Sequence, residues 1–85
     1  MNQTNLFANA LRPRPDELFK PGSQNWRLYQ RLLEGPVTNG EIIYQMRIAN
    51  STGRASDVRK ALRPYLMDVE SKRIEGSIWQ YRLRG

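Results

Sequence analysis

From Ser23 onward the apolar positions follow two periods in turn. Trp26, Tyr29 and Leu33, with Leu28 and Leu32 beside them, recur at three- and four-residue spacing, which predicts a first helix. Ser23 stands at the N-cap position after Pro21-Gly22, and Gly35 supplies the glycine that ends it. Pro36-Val37 allows a brief extended link. Thr38-Asn39-Gly40-Glu41 then reads as a capping box opening a second helix, with Ile42, Ile43 and Met46 inward and an end near Arg47. Ile48-Ala49-Asn50 makes a tight connection. Ser51 or Thr52 caps a third helix whose stripe is Ala55, Val58, Ala61 and Leu62, and Pro64 stops it near Arg63. Gly53, early in this helix, has no explanation at the level of sequence.

After Leu66 the period becomes two. Val69 and Ser71 alternate with Glu70 and Lys72, and Ile78 to Leu83 alternate again beyond Glu75-Gly76-Ser77. A β-hairpin turning at Gly76 follows. With a three-residue loop, Ile74 pairs with Ile78, and one face collects Val69, Trp79, Tyr81 and Leu83 against the helices. The other face sets Glu70 opposite Arg82 and Asp68 opposite Arg84. A one-residue slip loses both matches, so charge supports the register.

Residues Met1 to Pro21 hold three prolines and no sustained periodicity, so burial there does not offset the cost of ordering the chain. Residues 1–22 are expected to form a flexible arm, and residues 23–85 one α+β domain of three helices and a C-terminal hairpin.

The chain has neither Cys nor His, which removes disulfides, thiolate nucleophiles, His-based triads and the usual zinc ligand sets. The acids are interspersed with Arg and Lys rather than gathered as a cage, so no metal and no cofactor are assigned. Without those groups or a glycine-rich phosphate loop, an enzyme is not expected. No apolar run approaches the roughly 18 residues a membrane span needs, and the polar, proline-containing start is unlike a signal peptide; the expected location is cytoplasmic. The net charge of +6 favours polyanionic partners, nucleic acid first.

Helix, link, helix, turn, basic helix and glycine-tipped hairpin resemble a winged helix-turn-helix. Ser23 to Leu83 spans nearly all of such a core. The strings Ser23-Gln24-Asn25-Trp26-Arg27-Leu28, Leu33-Glu34-Gly35, Val37-Thr38 and Trp79-Gln80-Tyr81-Arg82-Leu83 are similar to small helix-turn-helix proteins of bacteriophages and prophages. The resemblance implies that the third helix enters the major groove of duplex DNA and that the hairpin wing reaches an adjacent groove or the phosphates. It implies a sequence-specific DNA-binding protein, a transcriptional or DNA-transaction regulator, acting as a monomer or a dimer formed on DNA.

On that resemblance the third helix offers Ser51, Thr52, Arg54, Ser56, Arg59, Lys60 and Arg63. Arg54 is the candidate to read a guanine edge through two donated bonds, and Asn50, Ser51 and Thr52 bond base or phosphate. Arg59, Lys60 and Arg63 are candidate phosphate clamps, joined in the wing by Lys72, Arg73 and Ser77. Between Thr52 and Arg63 lie four basic residues and one acid, so the charge excess concentrates on this helix. The bland alternative is a solvated cationic face in which Asp57 pairs with a nearby Arg. Trp79 and Tyr81 as base-stacking groups are the less favoured reading, because alternation places both on the core face.

In the arm, Gln3-Thr4-Asn5-Leu6-Phe7 resembles the Gln-x-x-Leu-Phe peptide that docks bacterial proteins on the replication sliding clamp, with Gln3, Leu6 and Phe7 as contacts. Thr4 departs from the Leu often found second in that motif. A partnerless tail, an arm folded back through Leu6, Phe7, Leu11, Leu18 and Phe19, and a minor-groove arm using Arg12 and Arg14 stay open. So do two rival functions: an adaptor that recruits the clamp, and an architectural or excision factor that bends DNA.

Overall fold

A computed structural model describes residues 12–85. In chain order the elements are α1 (Pro15–Leu18), α2 (Gln24–Glu34), β1 (Val37–Thr38), α3 (Glu41–Gln45), α4 (Ser51–Leu62), a 3₁₀ turn (Arg63–Tyr65), β2 (Asp68–Glu75) and β3 (Ile78–Arg84). The three strands form an antiparallel sheet in the order β1-β3-β2. This is an α+β architecture in which the helices cover one end of one sheet face.

Each boundary has a local cause. The Ser23 hydroxyl accepts from the Trp26 amide at 3.2 Å and starts α2, which ends where Gly35 takes φ 145. The Thr38 hydroxyl accepts from the Glu41 amide at 3.1 Å, half of a capping box. The other half is missing because the Glu41 carboxylate turns instead to Arg31, 2.6 Å away. Helix α3 is a single wide turn, closed by the Met46 amide donating to the Glu41 carbonyl at 3.0 Å. Asn50 caps α4, its side-chain oxygen accepting from the Gly53 amide at 3.0 Å. The cap therefore falls one residue earlier than Ser51 or Thr52, and α4 ends at Leu62 as Pro64 enters the next turn.

The core comprises Leu28, Tyr29 and Leu32 from α2, Val37 and Ile42, Ala55, Val58 and Leu62 from α4, and Val69 and Tyr81 from the sheet. The buried stripe of α2 is thus turned from the expected one: Trp26 and Leu33 are only partly buried. Ile48, which sequence placed in a connection, is also buried there, as is Met67. A fully buried Leu or Ile contributes about 1.5–3 kcal/mol, so each such position matters to a domain this small.

Strand register agrees with the charge argument from Asp68 to Arg73: Asp68 lies opposite Arg84 and Glu70 opposite Arg82. The tip differs. Glu75, not Ile74, pairs with Ile78, so the loop is Gly76-Ser77 with an irregularity between Arg73 and Glu75. Gly76 adopts φ 50, a conformation glycine takes without strain, and that permits the shorter turn. The Pro36-Val37 link carries a strand, with Val37 opposite Tyr81 and Thr38 opposite Gln80.

Residues 12–22, assigned from sequence to the arm, pack on the domain. The Tyr29 hydroxyl donates to the Pro13 carbonyl at 2.7 Å, the Trp26 indole to Asp16 at 2.6 Å, and Phe19 meets the Tyr29 ring edge-on. Leu18 and Phe19 lie against the core. The ordering cost is offset by this one aromatic seam, which the short spacing of Pro13, Leu18 and Phe19 does not display as a periodicity.

Candidate functional site

Helix α4 divides its residues by angle. Ser51, Ala55, Val58 and Leu62 face the core, and Thr52, Lys60 and Arg63 are exposed on the far side with Ser56 half-buried beside them. Ser51 was expected on the exposed side. It is buried because it begins the inward stripe.

The two flanks carry Arg54 and Arg59, and both bind protein. Arg54 pairs with Asp57 at 3.2 Å, and Asp57 also accepts from the Asn25 carboxamide at 3.4 Å, tying α4 to the first turn of α2. Arg59 donates twice to the Val69 carbonyl, at 2.6 and 3.2 Å, and pairs with Asp68 at 3.0 Å. This guanidinium fastens α4 to the outer edge of β2. Of the four cations sequence assigned to the helix surface, Lys60 and Arg63 make no ion pair among the described residues, while Arg54 and Arg59 serve the fold.

On the hairpin, Lys72, Arg73 and Ser77 are exposed. The Arg73 Nε donates to the Gly76 carbonyl at 2.7 Å, folding that side chain over the turn. Asn39, between β1 and α3, braces the tip: its Nδ2 donates to the Ser77 carbonyl at 2.9 Å, and its Oδ1 accepts from the Trp79 amide at 3.1 Å. Sequence reasoning missed Asn39, because a bond spanning forty residues leaves no local pattern.

Between α4 and the hairpin runs a groove of about 500 Å³, lined by Thr52, Ala55, Ser56, Arg59, Ser71, Trp79 and Tyr81. Trp79 was expected in the core with Val69, Tyr81 and Leu83. Tyr81 is buried but Trp79 is 40% exposed, because α4 covers only the base of this sheet face and the strands run on toward the tip. Ile74 and Ile78, also near the tip, are exposed as well.

Three of the acids around the site are neutralised, while Glu75 at the hairpin tip makes no ion pair among the described residues. Asp57 and Asp68 are held as above, and Glu70 takes Arg82 and Arg84, each at 2.9 Å. The bond from Arg82, reinforced by Arg84, holds the Glu70 carboxyl below its ordinary range. Arg84 therefore serves Glu70, and its register partner Asp68 is left to Arg59.

No known protein family, curated protein or solved structure matches the chain. The site's own geometry therefore carries the functional reading. Among the described residues no group of three or more metal-ligating side chains comes together, and no helix is long and apolar enough to cross a membrane. The candidate clamp contacts Gln3, Leu6 and Phe7 lie outside the described residues.

Proposed function

We propose that this chain is a winged helix-turn-helix that binds duplex DNA, with α3 and α4 as the helix-turn-helix, α4 entering the major groove and the β2-β3 hairpin as the wing. One observation carries the reading. The outward face of α4 presents Thr52, Ser56, Lys60 and Arg63, the hairpin exposes Lys72 and Arg73, and Asp57, Asp68 and Glu70 are each tied to arginines. The cations left without carboxylate partners on α4 and the hairpin supply the positive charge that phosphates require.

The roles are shared out accordingly. Thr52 and Ser56 stand where base edges are reached, and Asn50, exposed at the helix start, stands near phosphate. Lys60, Arg63, Lys72 and Arg73 are phosphate contacts. Arg54 and Arg59 hold α4 at its angle to α2 and β2; a guanine contact by Arg54 requires it to leave Asp57, a surface pair worth about 0.2–1 kcal/mol. The biological class that suits such a module is a phage-type regulator of transcription or of another DNA transaction.

Binding to random-sequence duplex across a salt series tests this. Affinity is expected to fall steeply with salt, and Lys60→Ala and Arg63→Ala each flatten the log-log slope by about 0.9. Binding that is absent at low salt, or indifferent to salt, overturns the reading in favour of an adaptor that contacts protein.

A further inference from the structure

The groove between α4 and the hairpin has a chemistry unlike that of the ridge around it. Its walls are the half-exposed Trp79 indole, the edge of Tyr81, and the hydroxyl-bearing side chains of Thr52, Ser56 and Ser71, with Ala55 as a small floor. No acid lines it. Its one cation, Arg59, is already bonded to the Val69 carbonyl and Asp68. The unengaged cations Lys60 and Arg63 lie outside the lining, on the surface of α4, and Lys72 lies on the opposite face of the hairpin.

A phosphate is better served by those outer cations than by a slot whose guanidinium is committed. A planar, polar-edged group suits the slot itself: an aromatic face on which to stack, and hydroxyls able to donate or accept at its rim. Trp79 is also held in place. Its amide donates to Asn39 and its backbone pairs with Arg73 of β2, so the position from which the indole projects is fixed. An aromatic left 40% exposed on a sheet face otherwise used for the core, beside a groove of about 500 Å³, has room for one such ring.

We propose that this groove receives an unpaired nucleobase, stacked on Trp79, with the sugar-phosphate chain running over the flanking cations. The inference rests on the DNA-binding reading and deepens it: the preferred substrate is DNA with a single-stranded or extruded base next to duplex, such as a fork, a bulge or a mismatch. Asn39 is a positioning residue in this scheme, acting through the Trp79 backbone.

The test compares one duplex with the same duplex carrying a single unpaired thymine, bound by the full chain in a Trp26→Phe background so that Trp79 is the fluorophore. Circular dichroism checks that each variant folds. Expected are a preference of about fivefold or more for the unpaired thymine, read by anisotropy of labelled DNA, quenching of Trp79 on binding it, and loss of the preference in Trp79→Leu with duplex affinity unchanged. Trp79→Phe keeps part of the preference. Equal affinity for the two DNAs, or a preference that Trp79→Leu retains, overturns the stacking site while leaving the duplex reading standing. Failure to bind either DNA overturns both.

Discussion

Gly53 sits in the first turn of α4, where alanine ordinarily stabilises a helix by about 1 kcal/mol relative to glycine. Here the sign is set by Asn50. A Cβ built on Gly53 would lie 2.8 Å from the Asn50 Cγ and 3.0 Å from its Oδ1, inside contact distance of the side chain that caps the helix. Asn50 must then swing away and release the Gly53 amide, which it holds at 3.0 Å. Losing an N-cap costs about 0.5–2 kcal/mol, typically near 1. Propensity gained and cap lost therefore largely offset each other, and Gly53→Ala in the wild-type background is expected to change stability by between about +0.5 and about −1 kcal/mol. With Asn50→Ala already in place the cap is gone, and the same change stabilises by about 1 kcal/mol. Urea melts of the four proteins, analysed as a double-mutant cycle, measure the coupling, and a shared m-value confirms that the midpoint shifts report stability. A Gly53→Ala protein more stable than wild type by the full propensity term, with no coupling to Asn50, refutes the account.

Two further outcomes follow from the packing. Burial pushes the Tyr29 hydroxyl from 10.0 up to about 12, so the folded state keeps a proton that the unfolded state gives up. Stability from this group is fully present below pH 10 and is lost as pH rises from 10 to 12; by linkage the loss approaches roughly 3 kcal/mol. Tyr29→Phe leaves the buried Pro13 carbonyl without its donor, costing about 1–3 kcal/mol at neutral pH, but lacks the alkaline loss. Stability curves for the two proteins that stay parallel from pH 9 to 12 contradict this. For Arg59, hydrogen bonds involving a charged donor predict that Arg59→Ala lowers stability by about 1.5–3 kcal/mol in urea melts, with the salt slope of DNA binding unchanged. An unaltered stability with a slope reduced by about 0.9 returns Arg59 to the phosphate role that sequence gave it.

What the sequence disclosed follows the range of the interactions. Helix α2, the stripe Ala55, Val58 and Leu62, the stop at Pro64 and the hairpin register all depend on neighbours a few residues apart or on charge matched across one turn. The departures arise where a distant group decides. Glu41 abandons its capping box for Arg31, and Trp79 is half-exposed because α4 does not extend over the hairpin tip. The cap is a local exception: Asn50 displaces Ser51 and Thr52 because Gly53, three residues on, leaves room for it. Alternation names a face of a strand, but not how far along it the covering helix reaches. The packing of residues 12–22 was legible only as one alternative, a fold-back through Leu18 and Phe19, because it hangs on Pro13 and Phe19 answering Tyr29 and Asp16 answering Trp26 across the chain.

On the proposed reading the arginines perform two electrostatic tasks that differ in their response to salt. Arg31, Arg54, Arg59, Arg82 and Arg84 hold fixed geometry at short range, with several of their donors spent on carbonyls or paired carboxylates. At 2.6–3.2 Å such contacts lie well within the Debye length of about 8 Å at physiological ionic strength, so moderate salt weakens them little. Binding a polyelectrolyte works otherwise: each phosphate neutralised releases condensed counterions, and the free energy of that release disappears as salt rises. A surface built this way separates fold from recognition. Between about 50 and 200 mM salt, the range over which phosphate contacts lose most of their affinity, the domain should keep its stability nearly unchanged. Net charge treats every arginine alike, and only the partner of each guanidinium reveals which task it performs.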